Sequence, residues 1–61
     1  MSPMVAQIIV RQAAKLFKLG ITFDAEESLN EALTQGEMEP PNAIDYFDML
    51  HKVELAIREA A

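Results

Sequence analysis

A chain of 61 residues holds one domain, and with no cysteine and one histidine it excludes disulfides, cysteine-ligated zinc or iron–sulfur centres and a histidine-rich metal site. Its 51 % hydrophobic and 25 % charged residues place it outside the disordered regime. The net charge of −5 argues against sequence-independent nucleic-acid binding, which depends on neutralising phosphates.

In chain order, Ser2-Pro3 reads as an N-cap followed by proline at the first helical position, where its missing N–H costs nothing. The stretch "MVAQIIVRQAAKLFKLG" follows and stops at Gly20, which suits a left-handed C-terminal position with Ile21 folding back as the apolar contact. These signals predict a helix over 3–19. Asp24 then offers an N-cap with Glu27 three residues on, a capping-box variant, and Gly36 ends a second helix over 25–35. "EPPN" breaks the chain again, with Pro41 or Asn42 starting a third helix over 42–59. Short loops favour antiparallel neighbours. The expected fold is all-α: one domain over 1–61, built of three short antiparallel helices and completed by self-association.

Periodicity assigns the faces. The second helix carries one apolar stripe, Ala25, Leu29, Ala32 and Leu33, with Glu27, Asn30, Glu31 and Thr34 outward. The third puts Tyr46, Phe47, Leu50, Val53 and Ile57 on a core face. Opposite them Ile44, Asp48, His51 and Leu55 make a mixed stripe where solvated residues belong, and apolar residues on such a face mark a partner-binding surface.

The first helix is apolar over most of its circumference. Val5, Ile8, Ile9, Leu16 and Leu19 form one face, and Ala6, Val10, Ala13 and Phe17 form a second at coiled-coil spacing. Gln7, Arg11, Lys15 and Lys18 form the polar stripe. A domain this small buries only about 60 % of its unfolded surface and tends to need a staple. Association is the staple left open, so Ala6, Val10, Ala13 and Phe17 are expected to be a homodimer seam. The alternative is that the first helix is central, wedged between the other two.

Candidate chemistry is sparse. Asp48 and His51 share a helical face, resembling one element of a helical di-metal site but lacking the further glutamates such a site needs, and no second base supports a nucleophilic triad. No glycine-rich phosphate loop is present. No catalytic, cofactor or metal residues are expected, and the chain reads as a non-enzymatic protein–protein interaction module, a regulator or adaptor, that pairs with itself and with another protein. Without a basic leader before the first apolar run, and without cysteine, it is expected in the cytoplasm; no run approaches the roughly 18 apolar residues of a membrane span.

Two alternatives rest on charge. Residues 1–23 carry +3 and residues 24–61 carry −8. The carboxylates Glu26, Glu27, Glu31, Glu37, Glu39, Asp45 and Asp48 would suit an inhibitor of a basic, nucleic-acid-binding protein surface. The basic amphipathic first helix would suit binding at a membrane surface.

Overall fold

The computed structural model describes residues 1–59 as three α-helices, with no strand among the described residues: α1 (Pro3–Lys18), α2 (Ala25–Gln35) and α3 (Ala43–Glu59). Each start is capped as its sequence dictates. The Ser2 hydroxyl accepts from the Val5 N–H at 3.2 Å, with Pro3 at the first helical position. Asp24 Oδ1 accepts from the Glu27 N–H at 2.7 Å. The Glu27 carboxylate reaches one residue further back than in a standard capping box and accepts from the Phe23 N–H at 3.0 Å. Asn42, rather than Pro41, caps α3: its Oδ1 accepts from the Asp45 N–H at 2.9 Å, and its amide donates back to Asp45 at 3.2 Å.

The stops differ from one another. After α1, Gly20 adopts φ +75°, and the Gly20 and Ile21 N–H groups bond the Phe17 and Leu16 carbonyls, a Schellman closure. Ile21 nevertheless stays exposed, so its expected fold-back onto the helix is incomplete. After α2 the same closure is made by Glu37 at φ +54° and Met38. Gly36 precedes it with right-handed backbone, φ −79°, so it is not the left-handed stop. Its role is clearance, because a Cβ there would lie 3.3 Å from Ile9 Cδ1 of α1.

α1 is the central helix. It packs against both α2 and α3 more extensively than those two pack against each other. A Gln12–Gln35 hydrogen bond of 3.1 Å, with the Ile9–Gly36 approach, sets the C-terminal end of α2 beside the first half of α1, an antiparallel course. The start of α3 lies beside the start of α1, so α3 returns parallel to α1 and antiparallel to α2. Ile9, Val10, Ala13 and Leu16 of α1 meet Leu29, Ala32 and Leu33 of α2 and Met49 and Val53 of α3 in one core. A buried hydroxyl pair, Thr22 with Ser28, ties the first turn to α2. The radius of gyration, 10.3 Å, matches the roughly 10.5 Å expected for a compact chain of this length.

Several face assignments are corrected. Ala13 is 0 % and Val10 9 % exposed, with Ala6 and Phe17 half-buried. Val10 and Ala13, the middle of the expected seam, are thus buried in the core of one chain, while Ala6 and Phe17 at its ends stay partly exposed. On α1, Ile8 and Leu19 belong to the exposed side, and on α3 Phe47 stands out while Met49 takes the core position. Core width decides these positions: two neighbours cover only part of a helix's circumference, and the apolar stripes run wider than that.

Candidate functional site

The outward face of α3 follows from where its core lies. With Met49 and Val53 buried and Tyr46, Leu50 and Ile57 half-buried beside them, the opposite side must face water at about 100° per residue. Ile44, Asp48, His51 and Leu55 occupy that side together, all four exposed. Ile44 is 82 % exposed and Leu55 41 %, and Phe47, one turn from Ile44, joins them at 65 %. Phe47 was missing from the sequence-based surface. Its signal was present, since position 47 lies three residues from both Ile44 and Leu50 and so between the two faces.

Phe47 does not hang loose. Its ring stands edge-on to Tyr46, centroids 5.9 Å apart at 79°. Tyr46 is anchored in turn by its hydroxyl, which donates to Asn30 Oδ1 of α2 at 2.9 Å. Burial and the carboxylates of Glu26 and Asp24 hold the Tyr46 phenol above its ordinary pKa, so it stays a donor at neutral pH. The face thus presents an aromatic ring supported on one edge by Tyr46, with Ile44 and Leu55 exposed on the same side of the helix.

The polar members are arranged differently from expectation. Asp48 pairs with Lys52, at 2.9 Å across one helical turn, rather than with His51. Both partners are largely exposed, so the pair adds little stability and can open when a partner arrives. Among the described residues no group of three or more His, Asp or Glu side chains converges to hold a metal ion.

A cleft of about 460 Å³ lies between α1 and α3, with Ala6, Val10 and Met49 on its floor and Asp45, Asp48 and Lys52 on its rim. Its lining thus mixes apolar side chains with the Asp48–Lys52 ion pair, beside the α3 face. The acidic residues divide among several places. Asp24, Glu26, Glu27 and Glu31 border a shallow depression on α2, Glu37 and Glu39 lie in the following loop, and Asp45 is held in the cap of α3. On α1, Arg11, Lys15 and Lys18 are exposed and take part in no ion pair among the described residues. No described helix is long and apolar enough to cross a membrane.

Comparison with known protein families, curated proteins and solved structures finds no match. The functional reading therefore rests on the geometry of the chain itself.

Proposed function

We propose that the chain is a non-enzymatic helical interaction module, a regulator or adaptor working inside the cell, that docks on another protein through the outward face of α3. The observation that carries this reading is the exposure of Ile44, Phe47 and Leu55 on one helical face, with Phe47 braced by Tyr46. Their eleven-residue span is about 16 Å at the helical rise, the reach of one amphipathic helix laid along a partner groove. Aromatic anchors flanked by aliphatic neighbours and a polar rim are the usual anatomy of such contacts, and Asp48 and His51 supply the rim.

Self-association through Ala6, Val10, Ala13 and Phe17 is not carried into this reading, because Val10 and Ala13 already serve the core of one chain. The test places a photo-crosslinking residue at position 47 and, separately, at Glu31 on the acidic face of α2, in host cells. A discrete adduct at 47, absent at 31 and lost on Ile44→Ser, is expected. Equal adducts at both positions, or adducts at 31 alone, would move the docking surface to α2 and favour an acidic inhibitor.

A further inference from the structure

The outward face of α1 has a composition that neither the core nor the α3 surface explains. Met4, Ile8, Arg11, Lys15 and Leu19 follow one another at intervals of four, three, four and four residues, a single stripe along the solvent side of the helix. Lys18 lies beside it. All six are exposed, Met4 at 73 %, and α1 itself carries no acid. The stripe ends in the α1–α2 turn, where Ile21 and Phe23 are also exposed, Phe23 at 82 %. Apolar side chains thus stand at both ends of a cationic centre, over about 22 Å of helix. The three cations are bound to nothing among the described residues. The acids nearest the turn are engaged with backbone donors, Asp24 with the Glu27 N–H and Glu27 with the Phe23 N–H.

We infer that this face, with the turn that follows it, is a docking surface for an anionic lipid leaflet. Charge decides the occupant. A second copy laid on the same face would set Arg11, Lys15 and Lys18 against their own counterparts, so the stripe is not self-complementary. A negative lipid surface attracts the cations, whose aliphatic stems lie along the interface while the heads meet phosphate. Met4, Ile8, Leu19, Ile21 and Phe23 insert on either side, the arrangement of an interfacial helix. Asp24 stands in the turn and Glu27 at the start of α2, both engaged with backbone donors, and the other acids of the chain lie on α2, on α3 and in their loop. A packed helix stands about 8–10 Å behind its neighbour, as far as the roughly 8 Å screening length at physiological salt. Contact attraction therefore outweighs the repulsion of a molecule whose net charge is −5.

The experiment uses the full chain with Phe23→Trp as reporter, titrated with vesicles of phosphatidylglycerol and phosphatidylcholine mixed, and with vesicles of phosphatidylcholine alone. A blue-shifted emission and co-sedimentation are expected on the anionic vesicles, at least tenfold weaker on the neutral ones. Adding Arg11→Glu and Lys15→Glu should weaken binding about 25-fold or more, from about fivefold for each cation at the surface. Both positions are exposed, so an unchanged helical spectrum and melt will show that the doubly reversed chain still folds. Absence of binding, equal binding to both kinds of vesicle, or no response to the reversals would overturn the inference. So would inert vesicles combined with quenching by a poly-glutamate peptide, which would assign the face to an acidic protein segment instead.

Discussion

The buried hydroxyl pair between Thr22 and Ser28 permits a sharp test of how the first turn is held. The Ser28 hydroxyl donates its one proton to the Asp24 carbonyl at 2.6 Å, so the Thr22 hydroxyl must donate to Ser28 Oγ. Thr22 is 4 % exposed and Ser28 fully buried, so water cannot replace a lost partner. Ser28→Ala leaves the Thr22 proton without an acceptor, a desolvation cost of about 2 kcal/mol within the usual range for an orphaned buried donor. The Asp24 carbonyl keeps its bond from the Ser28 backbone N–H, 3.0 Å, and adds little to the loss. Thr22→Val removes the donor but leaves the Ser28–Asp24 bond intact, costing about 1 kcal/mol. Thr22→Val with Ser28→Ala removes both polar groups together and should cost about 1–2 kcal/mol, less than the sum of the single losses. Against a total stability of roughly 3–9 kcal/mol for a chain of this length, these are large effects. Thermal melts by circular dichroism should fall by roughly 8–16 °C for Ser28→Ala, at about 4–8 °C per kcal/mol. Additive costs, or a Ser28→Ala melt within about 3 °C of the parent, would refute the donor assignment and the claim that the pair acts as a unit.

Further outcomes follow from the same geometry. Ala13→Glu should give no folded monomer at any concentration, since a carboxylate would enter a fully buried position; a folded, monomeric variant by light scattering would reopen the seam as a surface. Ile44→Ser and Phe47→Ser should leave the unfolding free energy from urea titration within about 0.5 kcal/mol of the parent, whereas Val53→Ala should cost about 2–4 kcal/mol. Glu37→Gly should stabilise by about 0.5 kcal/mol, the left-handed strain relieved less the added freedom of the unfolded chain, and Gly36→Ala should not, because its Cβ crowds Ile9; melts of the two variants separate clearance from handedness. Tyr46 is the single tyrosine, so absorbance titration reads it alone, and it should ionise above 10.0 in the folded chain. The native state holds that proton more tightly, so its contribution to stability is complete below pH 10 and is lost as pH rises through the folded value.

Helix number, order and starts were legible because capping is local: Ser2, Asp24 and Asn42 act on donors within three residues. The stop after α2 was half legible. A glycine at a helix end signals a break, but its neighbour Glu37 takes the left-handed backbone, and position 36 is crowded instead by Ile9 from another helix and by Met38, each 3.3 Å from where a Cβ would stand. The α3 stripe of Ile44, Asp48, His51 and Leu55 was readable as one exposed face, since periodicity fixes which residues share a side. What periodicity cannot fix is who covers a side. The middle of the second apolar face of α1, Val10 and Ala13, is covered by the chain's own α2 and α3, while Ala6 and Phe17 at its ends are only half-covered. Phe47 and Ile8 were misplaced for the same reason, as both are apolar and lie just outside the arc that two neighbouring helices can reach.

The central position of α1 has a consequence for the order in which the molecule is made. The helix that packs against both others is synthesised first, and its last fully buried core partner, Val53, comes 35 residues after Lys18. At about 5–20 residues per second that interval is roughly 2–7 s, during which Val10 and Ala13 lack their α3 cover. α2 can close only one side of α1 in that time. The core, which draws on all three helices, therefore cannot close until the third element has been made.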